Sequence, residues 1–259
     1  MNAVRTPLHP LRLAAGTATA GIVLTLIAFA ALLLGVVDPF ADISSAQYLG
    51  EIRTAPTLWL AVHLLVAVAV LGKLAGMLAL GGLLERDGRS ATVQAANAFA
   101  VVGAVLLVVT MVRDGYVHGF LAASWQAATD PAVRTDWERT FAASLRTSYG
   151  MEIASLIALL GLAPLAYSAV ILQTGLLPRW LGRLGVVGGA GSLVTGGYLW
   201  MTGPSDVGYG ALYPPFAVLL PAVWLTAVAV QLWRQAPVPA GSRTGPQASR
   251  ERAPEPVRG

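Results

Sequence analysis

The sequence predicts an all-α polytopic membrane bundle with six transmembrane helices. Three observations carry that prediction. Of 259 residues, 56% are hydrophobic and only 12% are charged, about half the charged share of an ordinary soluble domain. Six long stretches hold at most one formal charge each, and ~20 apolar helical residues cross a hydrocarbon core of ~30 Å. None of these stretches alternates polar and apolar residues as a membrane strand does.

The elements follow in order. Residues 1–13 form a basic N-terminal segment with Arg5 and Arg12. The first span, 14–37, carries no charge. Its 24 residues exceed the ~7–15 of a signal-peptide apolar region, so it reads as a retained anchor. The second span, 57–84, holds only His63 and Lys73 as ionisable groups. The third, 93–112, carries Gln94 and Asn97 but no charge. The fourth, 153–172, contains Pro164; the fifth, 184–201, is glycine-rich; the sixth, 211–233, contains Pro221. Both prolines should kink their helices, because proline lacks the N–H and crowds the preceding turn. Together these make a transmembrane domain over 14–234. The remaining 235–259 is a Pro-, Gly- and Arg-rich tail with no apolar face to bury, which should be disordered.

Between spans 3 and 4 lies one sizeable extramembrane piece. Asp130-Pro131 is a helix start, a capping side chain followed by proline at the first position. Val133, Trp137, Phe141, Leu145 and Tyr149 then recur every four residues, with charges between them. This is an amphipathic helix that either lies on the membrane surface or runs into the fourth span, as a packed cap or as a lid.

Arginine placement sets the orientation. With the N-terminus inside, inner segments hold eleven arginines and outer segments five, which favours both termini in the cytoplasm. The net charge of +4 is then a product of topology, so nucleic acid is not expected as a partner; membrane lipid is. The expected location is the plasma membrane. Gly72-x-x-x-Gly76 and Gly185-x-x-x-Gly189 permit close helix contact, within the chain or at a homo-oligomer seam.

The polar residues inside or beside the spans need a physical reason, since ionisable groups in a bilayer are costly. Lys73 is the only lysine among 17 basic residues, deep in the second span, where it either snorkels to the inner headgroups or pairs with an anionic ligand. His63, Arg113, Asp114, His118, Glu152 and Asp206 fall toward the outer side. Asp114 and His118 lie one helical turn apart, as do Ser148 and Glu152. If their helices are neighbours, these groups crowd one pocket lined by Trp59, Tyr116, Trp125 and Tyr149. The candidate catalytic residues are therefore Asp114, His118, Glu152 and His63. The candidate ligand contacts are Lys73, Arg113, Tyr116, Trp125 and Tyr149.

No cysteine is present, which excludes disulfides, thiolate metal sites and thiol catalysis. No H-E-x-x-H, P-loop, dinucleotide or nucleophile-elbow motif occurs, and His9, His63 and His118 are the only histidines. No metal or other cofactor is expected. Three functions fit the inventory: a binder of a small amphiphile or membrane partner, an intramembrane acid–base enzyme acting on a lipid or isoprenoid, and a proton-coupled transporter using Lys73.

The stretch Leu177-Pro178-Arg179-Trp180-Leu181-Gly182-Arg183-Leu184-Gly185, before a glycine-rich span, resembles a cytoplasmic turn of uncharacterised, actinobacterial-type six-helix membrane proteins. Asp114-Gly115, His118, Trp125 and Glu152 are similar to the matching region of some members, although His118 stands where a lysine is expected. The resemblance spans about residues 14–233 and implies topology, with no activity attached.

Overall fold

The structure, a computed structural model, describes residues 10–35, 44–85, 90–203 and 211–236. Asp206 and the expected tail from 237 onward lie outside the described residues. The helices are α1 (Pro10–Gly35), α2 (Ser45–Thr54), α3 (Pro56–Leu84), α4 (Ser90–Arg113), α5 (Gly119–Ala127), α6 (Pro131–Ser155), α7 (Ala163–Thr174), α8 (Arg179–Thr202) and α9 (Leu220–Gln235). Wide π turns at Asp114–His118 and Leu156–Leu162 join α4 to α5 and α6 to α7, and a third at Pro214–Leu219 leads into α9. No strand occurs among the described residues.

Six continuous runs are long and apolar enough to cross a membrane: Pro10–Ala31, Pro56–Leu84, Ala91–Ala127, Pro131–Thr174, Arg179–Thr202 and Pro214–Gln235. The chain is thus an all-helical, multipass membrane protein.

Local chemistry sets the helix ends. Asp130 caps α6, its Oδ1 accepting from the Ala132 amide at 2.8 Å, with Pro131 at the first helical position. Glycine in the left-handed region stops α7 at Gly175 (φ 68°), and Gly203 (φ 73°) ends α8. Pro164 and Pro221 each fall just past a π turn. The kinks expected there appear as wide turns, which accommodate a ring that an α-helical register would not.

One half of the bundle is closed by small residues. A Cβ on Gly72 would lie 2.6 Å from the Thr17 carbonyl oxygen, and one on Gly76 would meet Ala18. Gly185 faces Ser168 and Trp224, and Gly189 faces the Gly161 carbonyl and Leu165. Both glycine pairs are therefore consumed inside the chain, α1 on α3 and α8 on α7 and α9. Asn97, six residues into the third run, accepts from the Tyr167 hydroxyl at 2.6 Å, so this polar group is paired across α4 and α7.

The other half extends beyond the hydrocarbon. The third and fourth runs are 37 and 44 residues long, ~56 and ~66 Å at ~1.5 Å per residue, about twice a ~30 Å core. Arg12 lies over the Trp233 ring, so the start of α1 and the end of α9 share one end of the bundle. At the opposite end, α2, α5 and the first half of α6 project. Leu49, Ile52, Trp59, Leu121 and Phe141 form their buried core. The amphipathic segment runs without a break into the fourth span, its stripe turned onto α2 and α5.

Candidate functional site

His63 lies 21 residues from the end of α3, Asp114 lies 23 from Ala91, and Glu152 lies 22 from Thr174. At ~1.5 Å per residue all three stand ~32–35 Å from the end their helices share, so they occupy one level, at the edge of the hydrocarbon. Lys73 is ~17 Å from that same end, about halfway through the bilayer.

At this level the helices enclose a cavity of about 180 Å³, room for on the order of ten waters. Its polar wall carries Tyr48, Trp59, His63, Asp114, His118, Ser148, Tyr149, Glu152 and Tyr213; its apolar wall includes Phe29, Val62, Val66, Leu107, Met111 and Leu145. Residues of all three π turns line it: Asp114 and His118, Leu159 and Leu160, Ala217 and Val218. Wide turns cluster at functional sites because they redirect side chains that an α-helix would send elsewhere. Lys73 also lines this cavity, and it borders a second, smaller one of about 30 Å³. Among the described residues it has no hydrogen bond or ion pair.

Gly115 sets the approach of the first π turn to α3. A Cβ there would lie 3.2 Å from His63 Cβ and from Leu60 Cδ1. This close approach brings the Asp114 carbonyl to the Trp59 indole, whose Nε1 donates to it at 2.8 Å. His63 stacks beside Trp59, ring centroids 4.1 Å apart, and its Nδ1 lies 2.8 Å from the Trp59 carbonyl oxygen. A carbonyl only accepts, so Nδ1 holds the hydrogen and the neutral ring keeps its lone pair at Nε2.

The Asp114 carboxylate accepts from Ser148 Oγ at 2.6 Å and lies 3.5 Å from His118 Nδ1. His118 is 1% exposed, with Phe141 edge-on at 4.9 Å. Its Nε2 sits 3.1 Å from Ser144 Oγ, and Arg113 Nη2 donates to that same oxygen at 3.2 Å. Asp114 only accepts, so a neutral His118 carries its hydrogen on Nδ1, on the side of that carboxylate, and its Nε2 accepts from the Ser144 hydroxyl. Nε2 is thus hydrogen-bonded within the protein, while Nδ1 faces Asp114 at 3.5 Å. Glu152 Oε1 accepts from the Tyr213 hydroxyl. Tyr48, on the projecting α2, has its pKa raised well above the ordinary phenol value by burial and then by Tyr149, Asp114 and Glu152, so it stays a hydroxyl donor.

The structure thus brings His63, Asp114, His118, Tyr149, Glu152 and Lys73 to one cavity. It does not bring three others there. Tyr116 is 58% exposed, on the side of the turn away from Asp114, because residues two apart do not share a helix face. Trp125 lies above the site, its Nε1 donating to Glu138 Oε1 at 2.9 Å and its ring under Arg134. Arg113 reaches Ser144 from behind the wall. Sequence reasoning missed Tyr48, Ser144 and Tyr213. The signal for Tyr48 was present: Ser44-x-x-Gln47 is a capping box that starts α2. Tyr213 had no local signal, since only the folding of the sixth run against α6 places it.

Comparison with protein families matches residues 16–235 to the model described as Domain of unknown function (DUF4386). Comparison with curated proteins and with solved structures gives no match.

Proposed function

The chain belongs to the DUF4386 family, membership that brings no activity, and from the site alone we propose that it binds a small amphiphile in this cavity. One observation carries the reading: two carboxylates and three tyrosines stand at one end of a space whose other walls, Thr25 and Lys73 apart, are apolar. The carboxylates accept hydrogen bonds, so a hydroxyl or amine head suits them, while the chain of the ligand follows Val66, Leu107 and Leu159. Concave, mostly apolar sites with a few convergent polar groups are the usual form of ligand pockets. The arginine bias supports an outward orientation of this end.

The test uses full-length protein in nanodiscs. Lauryl alcohol should raise the melting temperature of the wild type by a few degrees, as a ligand of the native state does. Leu107→Trp, which fills the cavity, should fold and give no shift. Equal shifts in both proteins would contradict the reading.

A second reading, an acid–base enzyme acting on a lipid, is favoured by His63 alone. Its Nε2 is a base site on the wall, with Asp114 or Glu152 as acid; His118 has its Nε2 on Ser144 and its Nδ1 beside Asp114, which suits it to position that carboxyl group. Turnover of a bound lipid, abolished in His63→Gln with binding retained, would select this reading over simple binding. A pH-dependent flux into liposomes, lost in Lys73→Met, would select transport.

A further inference from the structure

We infer that Lys73 anchors an acidic group, so that the ligand class is an elongated amphiphilic carboxylic acid with a hydroxyl or amine at its far end. This rests on the amphiphile reading and deepens it. Four observations support it.

Lys73 is turned inward, bordering both cavities rather than reaching for the headgroups. It has no acceptor partner among the described residues. An ammonium in a bundle interior is costly unless it is hydrated, neutralised or paired. The cavity hydrates it when empty, and an anion completes it. The walls give the anion a single place. Of the lining residues only Lys73 is a lysine or arginine, whereas at the other end an acid would meet the carboxyl groups of Asp114 and Glu152. Finally, the spacing suits a chain molecule. Lys73 follows His63 by ten residues on one helix, ~15 Å at ~1.5 Å per residue, with Val62, Val66 and Leu107 lining the path. The polar groups at its two ends therefore select a bipolar molecule in one orientation: acid inward, donor outward.

The experiment compares three probes of similar length on full-length protein in nanodiscs, corrected for partition into empty discs. They are ω-hydroxylauric acid, the corresponding α,ω-diol and lauryl alcohol. Wild type should bind the hydroxy acid roughly tenfold more tightly than the diol, the scale of one charge-assisted hydrogen bond. Lys73→Met should lose that preference and keep diol binding, and Lys73→Arg should retain most of it. If wild type binds acid and diol equally, or Lys73→Met keeps the acid preference, the lysine anchor is wrong and the amphiphile pocket stands. If none of the three probes binds wild type, both readings fall. Should Lys73→Met not fold, the wild-type and Lys73→Arg comparisons decide alone.

Discussion

Gly72 and Gly119 lie in helices of one bundle and do opposite things. At Gly72 the backbone of α1 lies where a side chain would go. At Gly119, just past the first π turn, a Cβ would meet nothing within 4 Å. The contrast extends to their surroundings. In the closed half, Gly21 and Gly72 put helix backbone against helix backbone; Gly103 brings α4 equally close to the backbone of the Leu156–Leu162 turn, where the closed packing meets the cavity wall. In the other half, residues of the π turns and the rings of Trp59, Tyr149 and Tyr213 line a cavity. In lipid, apolar contact gives little drive for helix association, so close backbone packing and polar bonds supply it. The closed half spends its small residues on adhesion, and that adhesion allows the other half to stay open.

Predictions follow that contrast, from the largest effect down. Gly103→Val should be the most damaging, since a Cβ there falls 2.5 Å from the Leu159 amide nitrogen. Overpacking costs roughly 1–3 kcal/mol and occasionally more, and a clash with backbone has no flexible side chain to relieve it, so little monodisperse protein should survive size-exclusion chromatography. Ser148→Ala removes the 2.6 Å donor to Asp114 and should cost about 1–3 kcal/mol, the penalty for a buried polar group left short of a partner, read as a fall in melting temperature. Tyr213→Phe, which removes the hydroxyl on Glu152, should cost about 1 kcal/mol by the same measurement. Gly119→Ala should have the opposite sign and stabilise by roughly 0.5–1 kcal/mol, because the residue is helical (φ −60°), space is open and alanine is the better helix former. A loss at Gly119 as large as that at Gly103 would erase the distinction between the halves.

Much of this architecture is legible in the sequence. Apolar runs, nearly free of charge, mark the six spans because bilayer thickness fixes their length. Asp130-Pro131 and the i, i+4 aromatic stripe mark α6 through capping and helical periodicity. The π turns were only half legible. Pro164 and Pro221 announce a local distortion but not its form, and nothing in Asp114-Gly115-Tyr116-Val117-His118 announces one. The site followed the same division. Asp114 with His118, and Ser148 with Glu152, were visible as same-face pairs on single helices. Ser144 bonding to His118, Ser148 to Asp114 and Tyr213 to Glu152 depend on which helices are neighbours, a tertiary fact. Tyr116 was misplaced by attending to residue type over spacing, for it stands two residues from Asp114.

The central claim is that an aqueous cavity penetrates one half of an otherwise closed bundle. Val66 and Val68 test it most directly, two residues apart on α3 in a chain without cysteine. Val66 lines the cavity, while Val68 is 58% exposed on the opposite, lipid-facing side. With Val66→Cys and Val68→Cys made singly in membranes, a small water-soluble thiosulfonate should label the first and leave the second unreacted. An unreactive Val66→Cys, or equal labelling of the two, would contradict the account.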